Sequence, residues 1–188
     1  MPFGFRLVKY LDLNPQNESR NRGYVKRHHT MVDDAKQIVA NPNIELALIH
    51  MPFPHNPYLY DATSKEFGSG STYFDNLILT DNFLGEIRQT MEKSNLWNES
   101  TVIVSSDHQW RINEYRDSLT QLEREITKET EHPQIPFFIK LSGSQQPLVY
   151  EKPFNTVITA NLILALMRGE ISTTEETKNW LDTNTDSP

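Results

Sequence analysis

The sequence contains no cysteine, and this absence excludes a whole set of chemistries. Disulfide bonds, thiolate metal sites and cysteine nucleophiles are all ruled out. The lack of cysteine does not indicate the cellular compartment, because cysteine-free proteins occur on both sides of membranes. Any metal ion bound by this chain must therefore be held by Asp, Glu, His, Ser or Thr.

The sequence also lacks a long apolar run and an excess of basic residues. No stretch approaches the roughly 20 apolar residues that cross a bilayer, so we expect a soluble chain without a transmembrane segment. The formal net charge is -7, and the 18 lysines and arginines are scattered rather than clustered. Nucleic acid is therefore not an expected partner.

Apolar periodicity predicts helices that alternate with strands. In residues 24–40 and 71–94 the apolar side chains recur three and four positions apart, which predicts two amphipathic helices. Segments 44–51, 101–106 and 134–141 are short, apolar and bounded by turn residues, as strands buried on both faces are.

The second half of the chain adds three more predicted helices. They are a charged helix in 115–130, an apolar helix from Thr156 to Met167 that stops near Gly169, and a short helix opened by a capping box at Ser172 to Glu175. This order is typical of an α/β domain with a mainly parallel sheet flanked by helices. We predict a single domain over residues 1–188, with its core in 24–168 and a frayed tail at 182–188.

The segment VIVSSDHQWR places an adjacent carboxylate and imidazole, Asp107 and His108, at the end of a predicted strand. Ligands of parallel sheets bind beyond the carboxyl ends of strands, and the strict alternation of side chains stops there. A carboxylate oxygen and a neutral imidazole nitrogen together suit zinc or manganese. The alternative is that Asp107 caps the following turn and His108 is an ordinary surface histidine.

A second candidate segment is LIHMPFPHNPY, in which His50 ends a predicted strand and His55 follows in a loop. Pro52, Pro54 and Pro57 fix φ in this loop, so His55 is expected to be held in position. Both histidine segments follow predicted strands that can end at the same edge of a sheet. We therefore expect His55 to converge with the Asp-His pair on one pocket.

Four motifs in this order resemble the carboxyl-terminal half of the alkaline phosphatase/sulfatase superfamily, especially sulfatases and phosphoethanolamine or phosphoglycerol transferases. The resemblance covers most of residues 24–168. The matching motifs are PHNP at 54–57, a long helix of the form Y…D…LG with Tyr73, Asp81, Leu84 and Gly85, SDH at 106–108, and IPFFIKL at 135–141.

The resemblance implies a hydrolase or phosphotransferase that acts on phosphate or sulfate esters with a divalent metal, namely zinc, manganese or calcium. It implies that Asp107 and His108 are metal ligands and that His55 is a catalytic and substrate-binding residue beside the transferred group. Arg111 is a further candidate for substrate binding through its fork of donors, with a surface or packing arginine as the alternative. A location in the cell envelope or outside the cytoplasm is implied as well.

Two departures from the family pattern qualify these expectations. Gln109 stands where the family motif has glycine after Asp-His. The family also carries an acidic metal ligand and a nucleophilic Thr, Ser or modified Cys well before the PHxP loop. Here Thr30, Asp33 and Asp34 fall within a predicted helix and are interpreted as its solvated face, while His28 lies on the apolar stripe and is expected to pack.

The isolated chain is therefore expected to be inactive because the part that carries the nucleophile is missing. The expected partners are an ester substrate and either a complementing amino-terminal half or a second copy in a homo-dimer. One alternative is a non-catalytic binding or interaction domain derived from the same fold. Another is an unrelated α/β domain in which the motifs are coincidental.

Overall fold

A computed structural model of the protein describes residues 18–68, 71–114, 117, 119–128, 133–144 and 149–184. The helices are α1 (Glu18–Val39), α2 (Tyr73–Lys93), α3 (Gln121–Thr127), α4 (Thr159–Met167) and α5 (Thr174–Asn184). The strands are β1 (Tyr60–Asp61), β2 (Glu66–Phe67), β3 (Val102–Ser105) and β4 (Phe137–Lys140). None of these helices is both long and apolar enough to cross a membrane.

The described residues form two compact units. The first contains those up to Leu96 together with those between Trp110 and Glu131. The second contains Trp97–Gln109 together with those that follow residue 132. The prediction that the chain is a single domain stays a prediction.

Helix α1 supplies one side of the core in the first unit. It ends at Val39, before the predicted Asn-Pro-Asn turn, and its buried positions recur three and four apart, as the periodicity predicted. It packs against α2, and an ion pair of 2.8 Å between Lys36 and Glu86 joins the two helices. The buried side chains of α1 are those of Tyr24, His28, Met31, Val32 and Ala35.

Helix α2 is confirmed almost to the residue, but its buried face is offset from the predicted one. Thr72 and Asp75 form a capping box at its amino terminus, which provides partners for backbone N–H groups that have none within the helix. The apolar spacing predicts a stripe made of Tyr73, Leu77, Thr80, Leu84, Ile87 and Met91. Ile87 and Met91 are buried, whereas Leu77 is 38% exposed. The predicted stripe is correct only in part, because apolar residues occupy neighbouring positions throughout the helix and spacing alone does not select one face. The residues that are buried are Asn76, Leu79, Phe83, Ile87 and Met91.

Residues 44–51 do not form the predicted buried strand. The segment has no strand pairing, and Ile44, Leu46 and Leu48 are 39%, 41% and 73% exposed. A strand buried on both faces needs neighbouring strands and covering helices, and no strand in the described part of the chain pairs with this one. Its apolar side chains therefore face outward.

The predicted mainly parallel sheet is not confirmed, because both strand pairs among the described residues are antiparallel. In the second unit β3 pairs with β4, with Val102 opposite Lys140 and Ser105 opposite Phe137. In the first unit β1 pairs with β2 as a short hairpin. The apolar runs correctly located β3 and β4, but an apolar run specifies neither the direction of a strand nor its partner.

The core of the second unit lies where α4 meets the connection to α5. Leu162, Ala165 and Ile171 form a buried cluster, and Phe137, Ile139, Leu166 and Trp180 pack against it. Gly169 ends α4 with φ of +70°, a conformation that glycine adopts without steric cost. The carboxylate of Glu176 accepts the N–H of Thr173, so the predicted capping box is present one residue later than expected. Residues 182–184, assigned to the tail, belong to α5, and 185–188 lie outside the described residues.

Candidate functional site

The SDH segment directly follows β3, as the sequence predicted. The hydroxyl of Ser106 donates to the carbonyl oxygen of His108 at 2.7 Å, and the N–H of His108 donates to Oδ1 of Asp107 at 3.1 Å. These two hydrogen bonds hold the backbone in a tight turn. The Asp107 side chain is 68% exposed and the His108 side chain 36% exposed, so both are accessible to an ion from solvent.

The imidazole of His108 is oriented by its own backbone. Its Nδ1 lies 2.7 Å from the carbonyl oxygen of Gln109. A carbonyl oxygen only accepts hydrogen bonds, so this contact assigns the proton to Nδ1 in the neutral ring. Nε2 is then the nitrogen that carries a lone pair for a metal ion, an arrangement typical of metal-binding histidines.

The donor atoms of the pair are close enough to serve one ion. Nε2 of His108 lies 4.0 Å from Oδ1 of Asp107. Two donors on one tetrahedral zinc ion, each about 2.0–2.2 Å from it, are about 3.4 Å apart. The two donor types fit a divalent metal such as zinc. Among the described residues, no group of three or more His, Asp or Glu side chains is arranged to hold a metal ion. The assignment of Asp107 and His108 as metal ligands stays a prediction.

His55 has the same local arrangement as His108. It is exposed, and its Nδ1 lies 2.7 Å from the carbonyl oxygen of Asn56, the next residue. The same reasoning assigns the proton to Nδ1 and the lone pair to Nε2. The proline loop is also fixed from outside, because the buried side-chain amide of Asn76 binds carbonyl oxygens on both sides of His55.

Asn76 was missed in the sequence, although a signal was present. It lies three residues before Leu79 and seven before Phe83, so it shares their helical face. A polar residue on a buried face normally has a hydrogen-bonding task. Asn76 lies outside the stripe that apolar spacing predicts, so its contacts do not follow from that stripe.

The segment that follows SDH makes an aromatic contact with the start of α2. The ring of Trp110 stacks on that of Tyr73, with centroids 4.0 Å apart and planes 3° from parallel. Burial raises the pKa of Tyr73. Arg111 is half exposed, and its Nη1 lies 3.4 Å from Oε1 of Glu114. The role of Arg111 in substrate binding stays a prediction.

The other histidines and acidic residues named above are either exposed or buried in the core of the first unit. His50 is exposed at the end of the apolar segment. Thr30, Asp33 and Asp34 lie on the exposed face of α1, which confirms the solvated-face interpretation. His28 is buried, with its ring centroid 5.1 Å from those of Phe53 and Phe67, as expected for a packing residue.

The three principal candidate residues are divided between the two units. His55 belongs to the first unit, whereas Asp107 and His108 belong to the second. Their convergence on a common pocket stays a prediction.

The sequence also matches a known protein family. The model of the sulfatase family matches residues 8–169, which is well over half of the chain. The chain belongs to the sulfatase family. This membership confirms the resemblance to the alkaline phosphatase/sulfatase superfamily drawn from the four motifs. Comparisons with curated proteins and with solved structures found no match. Sulfatase-family proteins generally depend on a divalent metal, which agrees with the donor chemistry of the Asp107–His108 pair.

Proposed function

We propose that this sulfatase-family chain takes part in metal-assisted transfer of a phosphate or sulfate group from an ester, with Asp107 and His108 as metal ligands. The observation that carries the proposal is the local geometry of this pair. A carboxylate oxygen and an imidazole Nε2 lie 4.0 Å apart and accessible, and the opposite ring nitrogen is held by a backbone carbonyl. That combination supplies two ligands of the type that zinc and manganese bind.

A bound divalent ion would stabilise negative charge on the transferred group and lower the pKa of the attacking oxygen. His55 would lie beside the phosphate or sulfate group as a proton donor or as a ligand of a second ion. Its Nδ1 is occupied by the Asn56 carbonyl, so Nε2 is the atom that would exchange a proton or bind the ion. This placement of His55 comes from the motif resemblance.

Arg111 would contribute to binding of the anionic group. Its present partner, Glu114, forms an exposed ion pair, and such pairs contribute about 0–1 kcal/mol to stability. Exchanging Glu114 for a phosphate or sulfate oxygen would therefore cost little. A guanidinium can bind two oxygens of such a group at once.

The isolated chain is proposed to turn over esters feebly or not at all. Asp107 and His108 are two ligands, and a tightly held catalytic zinc ion has three protein ligands as a rule. Further ligands and the nucleophile would have to come from beyond the described residues, for example from a complementing polypeptide. A location in the cell envelope or outside the cytoplasm is part of the same proposal.

A non-catalytic binding domain is the second candidate function. It is favoured by the lack of a complete ligand cluster in the described residues and by Gln109 in place of the family glycine. Such a domain would keep the fold and the exposed motif without the chemistry.

Calorimetric titration of the full 188-residue chain with zinc and with manganese separates the two candidates. We expect binding in the wild type that is lost in His108→Ala and retained in His29→Ala, which removes an exposed histidine from α1. Absence of binding at all tested concentrations would favour the non-catalytic domain. Turnover of a generic phosphate ester that disappears in Asp107→Ala would instead show that the isolated chain is already a complete enzyme.

A further inference from the structure

The loop at 54–57 has a defined partner for each of its four carbonyl groups. The side-chain nitrogen of Asn76 lies 3.4 Å from the carbonyl oxygen of Pro54, 3.2 Å from that of His55 and 3.5 Å from that of Pro57. The fourth carbonyl, that of Asn56, lies 2.7 Å from Nδ1 of His55. One amide therefore binds three carbonyls of the loop, and the histidine of the loop binds the remaining one.

The amide of Asn76 can be oriented in only one way. Its side chain has two N–H hydrogens, which the three carbonyl oxygens share. The reversed amide would place Oδ1 against these oxygens and would be repelled. In the observed orientation Oδ1 is buried and has no partner among the described residues.

Asn76 contributes more through its hydrogen bonds to the loop than through packing in the core. The residue is 1% exposed, and an amide buried with one unpaired atom is less favourable than an apolar side chain of similar size. The other buried positions on this face of α2 include the apolar residues Leu79 and Phe83, which contribute to the core by packing alone. The distinctive contribution of Asn76 is its contact with the carbonyl groups around His55.

The backbone that carries Asn76 is itself anchored from two sides. The carboxylate of Asp75 accepts the N–H of Thr72 at 2.8 Å and that of Ala62 at 3.2 Å. The buried carboxylate of Glu123 accepts the N–H of Tyr73 at 3.1 Å. The first turn of α2 is thereby tied to the residue after β1 and to α3. A side chain on such a fixed turn can hold a loop in one geometry.

We propose that Asn76 is a positioning residue for His55. By holding the carbonyls of Pro54, His55 and Pro57, it presents the Asn56 carbonyl to Nδ1 of the ring. The imidazole is then kept in the Nδ1–H tautomer, with Nε2 directed to the reacting group. The catalytic meaning of this arrangement rests on the proposed function of His55, whereas the tautomer and its dependence on Asn76 do not.

The test is nuclear magnetic resonance of the full chain labelled with ¹⁵N, at a pH at which the imidazoles are neutral. Long-range correlations between ring protons and ring nitrogens show which nitrogen carries the proton. We expect the Nδ1–H tautomer for His55 in the wild type and a mixture of both tautomers in Asn76→Ala. The matched control is Asn82→Ala on the same helix, which removes an amide that donates to the Tyr60 hydroxyl at 3.3 Å and should leave His55 unchanged.

Two results would overturn the proposal. One is a wild-type His55 without preference for Nδ1–H, and the other is a folded Asn76→Ala chain in which the tautomer persists. If Asn76→Ala does not fold, hydrogen exchange in the wild type decides. Side-chain N–H groups of Asn76 that exchange more slowly than those of Asn82 support the proposal, and exchange at the solvent-exposed rate contradicts it. Failure of metal binding or turnover would count against the proposed function and leave the tautomer result intact.

Discussion

The Nε2 atom of His108 lies 4.0 Å from Oδ1 of Asp107 just after a strand, and the two side chains are 36% and 68% exposed. The carboxylate also accepts the N–H of His108 at 3.1 Å, so a hydrogen bond joins the two residues within one turn. If the pair binds a metal ion, the affinity should depend on the negative charge of Asp107 and on the lone pair of His108 as well as on their positions.

The first prediction concerns the charge of Asp107. Asp107→Asn keeps the shape of the side chain and removes its negative charge, so we expect the affinity for zinc to fall by about tenfold or more. Calorimetric titration measures the change, with Asp61→Asn in the β1–β2 hairpin as a control carboxylate. Equal affinity in wild type and Asp107→Asn would contradict the assignment of Asp107 as a ligand.

The second prediction concerns acid stability and follows from His28. Burial lowers the pKa of this imidazole to about 4, with a further lowering by His29 and a smaller opposing effect of Glu86. The unfolded chain takes up the proton near pH 6.5, before the folded chain does. Stability should therefore be complete above pH 6.5 and fall as the pH decreases toward 4, by about 3 kcal/mol at most.

Urea unfolding between these two pH values measures that loss. His28→Leu keeps an apolar side chain in the cluster and should flatten the dependence, while His29→Leu should retain it. A wild-type free energy of unfolding that stays constant over this range would contradict the account of His28.

The third prediction concerns the core of the second unit. Leu162 is 0% exposed, so Leu162→Ala should lower the free energy of unfolding by about 2–5 kcal/mol through lost burial and a residual cavity. Leu164 lies on the same helix and is 46% exposed, so Leu164→Ala should cost less than about 1 kcal/mol. Equal effects of the two substitutions in thermal unfolding would show that α4 does not pack as described.

The fourth prediction concerns the exposed segment 44–51. Leu48 is 73% exposed in an apolar segment that has no strand partner among the described residues, and exposed apolar segments favour association with another chain. We expect the chain to self-associate as concentration rises and Leu48→Lys to reduce this association. Light scattering over a range of concentrations measures both. A wild-type monomer at high concentration would contradict the prediction and the homo-dimer with it.

The helices were predictable because their signals are local. The Asn-Pro-Asn turn follows α1, Thr72 caps the start of α2, and Gly169 follows α4. Each of these signals lies within one turn of the helix end that it marks. The strands were predictable in position only. Segments 44–51 and 101–106 look alike in sequence, yet only the second has a partner strand in the described part of the chain, because pairing depends on residues far away in the sequence.

The candidate site divides in the same way. The position of Asp107 and His108 just after a strand was predictable because a strand end is marked by local residues, and their role as ligands stays a prediction. The carbonyl contacts that orient His108 and His55 depend on backbone conformation, which residue types alone do not specify. Asn76 joins α2 to a loop about 20 residues earlier, and only the fold brings them together.

The most direct test of the proposed function is zinc titration of the ¹⁵N-labelled chain, followed through the two ring nitrogens of His108. We expect zinc to shift the Nε2 resonance of His108 strongly while Nδ1 remains protonated against the Gln109 carbonyl. A His108 ring whose nitrogen resonances do not change at saturating zinc would contradict the assignment of this pair as a metal site.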